Sequence, residues 1–534
     1  MSRNSFRRDE RGQTLVVVAL MLTALFGFVG LVMDIAWFEV NLIRVQRAAD
    51  AAALAGVVYL PTNVSGASTA AINEATKNGY TNGANGVVVT AAPDAVNDRI
   101  LGVTASTPVR TFFARLFGLT TFTARRNARA EFILPVPMAS PQDYLGIYRL
   151  CKGNGSSCVQ IHAAPDANGV ANPALASQGF WAAVITRGGN HGNGDAYSTF
   201  YDGNPTTNPQ FDLNGYSYTV ELPTGTSNGE VYIFDPAYCA VGKGSSSGVY
   251  LGTGDHWIAD PTAGHRAVTT TYKVWDTEGT PYTTDDDVLL SDTGNLFAAQ
   301  DQVDKGTDYS GQGDYGAGYN GSSSADCQSS VYHNQWYRLV TGLAAGMYRV
   351  QVTTADIANA NTNAENMFGI EVKSNVSGSR VYGSTRMCIY NNLDGSVALF
   401  YLAQIPAVHA GKTLEIKLFD PGDVTGTATL KILKPTSSQY VYSNFSFTAN
   451  GGTGPQSGTN VSSLQTANGS SLYNNAWVTI TIALPSDYGV GGLTPNGETE
   501  PAWWKIEYTI TAQGNDTTTW EISVRGNPVH LITP

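Results

Sequence analysis

Residues Leu15 to Met33, LVVVALMLTALFGFVGLVM, form an uncharged apolar run of 19 residues. At about 1.5 Å per residue a helix of that length is roughly 28 Å long, close to the hydrocarbon thickness of a bilayer. Arg3, Arg7, Arg8 and Arg11 precede the run, opposed by Asp9 and Glu10. This bias predicts a transmembrane helix over 15–33, with the basic tail 1–14 in the cytoplasm and the bulk of the chain outside it. A cleaved signal peptide fits less well. Its apolar core is shorter, about 7–15 residues, and ends at a small-x-small site. Here Asp34-Ile35-Ala36-Trp37-Phe38 follows, a poor peptidase site.

The helical pattern runs on past the membrane. Ile35, Phe38, Leu42, Val45, Ala49, Ala52 and Gly56 alternate in spacings of three and four, which is a heptad seam. Glu39, Arg44, Arg47 and Asp50 fall off it, and Gly56 and Pro61 are the stop signals. The seam narrows from bulky residues to Ala and Gly, so a neighbour approaches the backbone closely there. That neighbour is either a partner helix or the protein's own outer domain.

These residues carry a resemblance. Arg11-Gly12-Gln13 before the span, Asp34 just after it, and Val45-Gln46-Arg47-Ala48-Ala49-Asp50-Ala51-Ala52-Ala53-Leu54-Ala55-Gly56 resemble the N-terminal domain of TadG-like proteins. Those proteins belong to the bacterial tight-adherence (Flp) pilus assembly system. The likeness is strong over residues 8–60. It continues weakly to 134 through Thr111-Phe112-Phe113-Ala114-Arg115-Leu116-Phe117-Gly118-Leu119 and the Ala- and Arg-rich strand after it. It implies a single-pass protein of the bacterial inner membrane whose partners are pilus-assembly or envelope proteins. Two departures limit it. The Asp-x-Ser-x-Ser metal motif of a von Willebrand A domain is absent, Asp308-Tyr309-Ser310-Gly311-Gln312 being the nearest string. The early glutamate of type IV pilins is also missing from the apolar helix, which argues against a structural pilin subunit.

At roughly 150 residues per domain, 534 residues suggest three or four units. Charge is uneven: residues 1–134 hold 13 Lys/Arg and 9 Asp/Glu, and the rest hold 18 and 34. An acidic outer part argues against nucleic-acid binding, which needs basic patches. All five cysteines (Cys151, Cys158, Cys239, Cys327 and Cys388) lie outside the membrane in this topology, where disulfides persist. Cys151 and Cys158 flank Lys-Gly-Asn-Gly-Ser-Ser and are expected to bridge, with Cys239–Cys327 as a second bridge and Cys388 left over, buried or free.

Residues 34–134 read as a small α/β region: a helix near 67–78, strands near 87–90 and 100–106, a short helix near 111–117 and a strand at 123–133. Pro135, Pro137 and Pro141 mark a linker at 135–141. Beyond it, short alternating runs rich in Val, Ile, Thr, Tyr and Trp are separated by Gly, Asn, Asp, Ser and Pro, a mainly-β pattern. Glu230–Pro236 echoes Glu415–Pro421, both ending Phe-Asp-Pro. Tyr348–Thr353 resembles Trp504–Thr509, and Phe368–Val372 resembles Trp520–Val524. The preserved order predicts two related antiparallel β-sandwiches, over 142–375 with an insertion at 276–334, and over 376–534. The whole is a membrane-anchored α+β chain.

Chemistry-bearing motifs are few. Asp285, Asp286 and Asp287, and Asp195 after Asn190-His191-Gly192-Asn193-Gly194, are weak candidates for a calcium site, since Asp oxygens in loops suit that cation. A solvated acidic loop, and a plain turn at Asp195, are the simpler explanations. Gly244-Ser245-Ser246-Ser247-Gly248 fits G-x-S-x-G only formally, because a nucleophile elbow needs a strand-to-helix turn. No catalytic residue and no cofactor is assigned. The expected function is a non-enzymatic pilus-assembly accessory protein. An anchored adhesin or glycan-binding module is the alternative, and a surface hydrolase is the least favoured. The oligomeric state is not legible.

Overall fold

The computed structural model describes residues 11–60, 63–95, 99–132, 135–146, 149–151, 158–160, 180–185, 191–198, 200–201, 204–205, 208, 212–235, 256–257, 269–280, 284, 286–294, 296–297, 332, 336–354, 364–391, 395, 397–495, 498, 500–512, 514, 516–525 and 529–532. They divide into two compact units, 1–134 with 527–534, and 135–526.

In the first unit one helix, α1 (Arg11–Val57), carries the apolar run and the seam without a break. No proline interrupts it, and Ala and Leu favour the helix throughout. Its surroundings change along its length. Leu15 to Met33 are exposed apart from Gly30, whereas Leu42, Val45, Ala48, Ala49, Ala52, Ala53 and Val57 are buried. The second helix, α2 (Val64–Lys77), starts where the Asn63 side chain accepts the Gly66 N–H at 2.7 Å, a conventional N-cap. Ala67, Ala71 and Ala75, four apart, bury its inner face. Strands β1 (Val88–Pro93), β2 (Ile100–Arg110) and β3 (Thr121–Phe132) form an antiparallel meander, and residues Val529–Ile532 add a fourth strand along β3. Alternate residues Leu101, Val103 and Ala105 of β2, and Ala124, Ala128 and Ala130 of β3, are buried, and α1 packs on both strands. The strands and helix expected from the sequence fall within a few residues of these elements.

Small side chains set the depth of this packing. A Cβ on Gly56 would lie 2.5 Å from the Ala67 carbonyl oxygen and 2.5 Å from Leu101 Cδ2. Of the two neighbours that the seam left open, the chain's own β2, β3 and α2 lie along it from Leu42 to Gly56. Phe38 packs edge-on against Phe122 with centroids 5.7 Å apart, and Ile35 alone of the seam is exposed.

The second unit contains antiparallel sheets. Its first half supplies β4 (Phe180–Ile185), β5 (Tyr216–Leu222), β6 (Gly229–Phe234), β7 (Thr270–Asp276), β8 (Val288–Asp292), β9 (Trp336–Leu343), β10 (Gly346–Thr354) and β11 (Ala364–Lys373). Their neighbours run β9-β6-β11-β4 in one sheet and β8-β7-β10-β5 in another. The second half supplies β12 (Arg386–Asn391), β13 (Val397–Gln404), β14 (Thr413–Phe419), β15 (Thr427–Pro435), β16 (Tyr440–Ser443), β17 (Trp477–Ala483), β18 (Trp503–Ile510) and β19 (Asp516–Arg525). These run β17-β14-β19-β12 and β16-β15-β18-β13, the order of the strands eight earlier, and further strands flank them: Phe445–Ala449 along β17, Leu464–Asn468 along β15 and, in the first half, Arg380–Gly383 along β5. The three echoed strings of the sequence lie on corresponding strands: β6 and β14, β10 and β18, β11 and β19. Inward side chains of the two sheets meet. Tyr218 of β5 and Tyr272 of β7 stand edge-on to Phe368 of β11 at 5.7 and 5.6 Å, and Phe180 of β4 stacks on Phe400 of β13 at 4.7 Å.

Three features of the structure bear on the expected boundaries. The division at 375/376 is crossed by a sheet, because β4 pairs with β12 from Cys388 opposite Ala183 to Asn391 opposite Phe180, and one apolar core runs through both halves. The expected insertion 276–334 contains β8, paired to β7, and the buried Phe297. The expected linker 135–141 is packed: Val136, Met138 and Ala139 are buried, and Met138 exchanges backbone hydrogen bonds with Gly383 at 2.7 and 3.1 Å.

Gly56→Ala should destabilise the first unit by about 1–3 kcal/mol, the usual cost of overpacking. Denaturation of the full chain in detergent, read by hydrogen exchange in α2, checks this. Unchanged protection of α2 would mean that the helix–helix contact yields without cost.

Candidate functional site

The junction between the apolar run and the first unit is built around one carboxylate. Asp34 is buried, one residue beyond the run, and accepts three backbone N–H groups from the β2–β3 connection: Phe112 at 2.6 Å, Phe113 at 2.9 Å and Ala114 at 2.6 Å. Those amides open a short 3₁₀ turn, Ala114–Phe117, whose N–H groups have no partner within the turn. Charge-assisted bonds of this kind contribute about 1.5–3 kcal/mol each, which is what lets a carboxylate sit out of water. Phe112 packs edge-on against Trp37 at 5.8 Å, and Arg44 lies over the Trp37 ring at 5.8 Å. Gly30 completes the junction: a Cβ there would lie 2.6 Å from the Phe113 ring.

In the second unit the described residues form an open groove of about 510 Å³ along β16, β17 and the segment after β17. Lys434, Tyr442, Asn444, Ser446 and Asn460 give it polar walls, with Tyr488 and Trp504 beneath. Its volume is in the range of small-ligand sites. Tyr442 is half exposed and donates to Glu507 at 2.6 Å; that bond first, then burial, raises its hydroxyl to about 12. Lys431 reaches over the same ring at 4.9 Å.

A buried ion pair also lies in this half. Lys505 Nζ is 2.9 Å from Glu498 and fully buried, between the rings of Tyr401 at 4.7 Å and Tyr440 at 4.3 Å. Tyr440 donates to Glu498 at 3.1 Å, and burial followed by that carboxylate raises its hydroxyl. Sequence reasoning missed this cluster. Its one signal was a Lys inside the otherwise apolar strand opening Trp503-Trp504-Lys505-Ile506, an inward position that demands a partner.

The weak metal candidates are not brought together. Asp195 is buried and accepts the Ile185 N–H at 2.8 Å, the Tyr197 N–H at 2.7 Å and the Tyr216 hydroxyl at 2.5 Å. Asp286 accepts the Thr280 hydroxyl at 2.6 Å, and Asp287 is ion-paired with Arg349. These carboxylates are engaged by donors rather than turned to a cation. Among the described residues no cluster of His, Cys, Asp or Glu suits a metal. Asp285, the Gly244–Gly248 string, Cys239 and Cys327 lie outside the described residues. Cys388 is fully buried in β12. Cys151 and Cys158 stand directly opposite in the two-stranded ladder of Arg149–Cys151 with Cys158–Gln160.

Compared with known families, residues 12–59 match the family described as putative Flp pilus-assembly TadE/G-like. No curated protein matches the chain, and no solved structure matches it.

Two outcomes follow. Burial drives the Asp516 carboxyl up to about 6, against hydrogen bonds from Tyr508, the Gly422 and Asp423 N–H groups and Thr518. An unfolded Asp titrates near about 3.9, so between about pH 4 and 6 the native state holds the extra proton and stability falls as pH rises. Asp516→Asn should flatten that fall in denaturation midpoints taken across the window; parallel curves would exclude it. Non-reducing peptide mapping should recover Cys151 and Cys158 in one linked species that separates on reduction. Two independent thiol peptides would exclude the bridge.

Proposed function

We propose that this chain is a single-pass, membrane-anchored, non-enzymatic accessory protein of tight-adherence pilus assembly. The match of residues 12–59 to the pilus-assembly family carries the reading. The helix containing it is long and apolar enough to cross a membrane, with little of that stretch buried. The anchor sits in the bacterial inner membrane with its N-terminus in the cytoplasm, as the arginines before the run favour. The second unit is then extracytoplasmic and engages pilus or envelope components. Its strand order supports a tandem pair of jelly-roll sandwiches, since β4, β11, β6 and β9 share one sheet and β5, β10, β7 and β8 the other, an order that β12, β19, β14 and β17 with β13, β18, β15 and β16 repeat.

A second reading, an anchored adhesin or glycan-binding module, is favoured by the groove beside Tyr442, where an exposed ring meets Asn, Ser and Lys side chains. Deletion in the source organism separates the two. Loss of surface pili by electron microscopy, restored by the full-length chain but not by residues 1–134, is the expected outcome. Unchanged pilus number with lost surface attachment, reproduced by Tyr442→Ala in the full chain, would replace the assembly role with the adhesive one.

A further inference from the structure

The β2–β3 connection carries an apolar surface that the first unit does not cover. Leu116 is 77 % exposed and Phe117 82 %, and Phe112, Phe113 and Leu119 are each about half exposed. Five large apolar side chains within eight residues on a turn are unusual for a surface facing water. The Asp34 clasp fixes where this turn sits. It holds residues 112–114 at the end of the apolar run, and Phe113 lies against Gly30, a full helical turn inside it.

We propose that residues 112–119 form a membrane wedge: the turn enters the head-group and upper acyl region of the same bilayer that α1 crosses. This rests on the membrane-anchored reading of the first unit. The occupant of the apolar surface is lipid, because the surface is continuous with the exposed, lipid-length face of α1 through the Gly30–Phe113 contact. Charge agrees with it. No Asp or Glu occurs from residue 99 to residue 130, while Arg110 and Arg115 are exposed at the base and within the turn. Arginines flanking an apolar wedge reach lipid phosphates while their stems stay in the interface. Trp37, packed on Phe112, adds an aromatic ring at the same level, as in interfacial belts.

The wedge gives α1 a second point of attachment. A lone span rotates and tilts freely, whereas a span with a turn clasped beside it presents one face of the first unit to the membrane. Asp34 is a positioning residue here, acting through the three amides that it holds.

The test uses the full chain in proteoliposomes containing anionic lipid, with phospholipids brominated near the head-group end or near the methyl end of the acyl chains. Phe117→Trp and, independently, Leu116→Trp are compared with the parent protein, and Leu25→Trp reports on the span. The expected result is a blue-shifted added emission at 117 and 116, lost with the shallow bromines, and an added emission at 25 lost with the deep ones. Unquenched emission at both 116 and 117 while position 25 is quenched overturns the wedge and leaves the anchor standing, with the turn facing water or a protein. Unquenched emission at position 25 overturns the anchor and the wedge with it.

Discussion

One carboxylate with three amide donors governs the first unit. Asp34 stands where α1 passes from exposed to packed, one residue beyond a run with the length and composition of a bilayer crossing. A charge buried there without partners would be excluded by its desolvation cost. Phe112, Phe113 and Ala114 supply the donors, and in doing so the β2–β3 connection is tied to the helix about 80 residues before it. The rest of the unit follows. With the connection pinned, β2 and β3 lie along α1, and the small residues from Ala48 to Gly56 let sheet and α2 close to backbone contact.

The second unit is governed by burial of a different kind. Its core is apolar and continuous, yet acids are placed inside it, each with a tyrosine hydroxyl among its donors: Asp195 with Tyr216, Asp235 with Tyr272, Asp516 with Tyr508. Asp235 and Asp420 end corresponding strands, β6 and β14, and both are buried. Asp420 accepts the Asn475 N–H at 2.7 Å and adopts a φ of 58°, a left-handed conformation that an Asp tolerates better than most residues. The Phe-Asp-Pro string thus places a buried Asp at the end of a strand in each half.

What the sequence revealed was local, and what it hid was pairing. The apolar run, the elements of residues 64–132 and the echoed strings all carry their signal in contiguous residues. A heptad seam marks a buried face but not its cover, so Leu42 to Gly56 read equally as a partner surface and as self-packing. Strand pairing is non-local, and nothing in Phe180–Ile185 announces Arg386–Asn391 as its neighbour. Asp287 looked like part of a solvated acidic loop because Arg349, its counter-charge, lies 62 residues away. The prolines at 135–141 signalled irregular backbone, but not that Met138 would pair with Gly383. Asp34 was visible as a residue of the pilus-assembly pattern, though its reason, the three amides, was not.

The strand Val529–Ile532 completes the sheet of the first unit, pairing Phe132 with Val529 and Arg129 with Ile532. Roughly 400 residues separate the partners, so this contact closes a very long loop, an expense that grows slowly with length but delays formation. A chain made from its N-terminus offers α1, α2 and β1 to β3 early, with the outer edge of β3 exposed. That edge stays unsatisfied until residues 529–532 emerge and find it. Completion of the first unit's sheet thereby waits for residues 529–532, and a chain interrupted before them bears an open strand edge that quality-control proteases and chaperones can recognise.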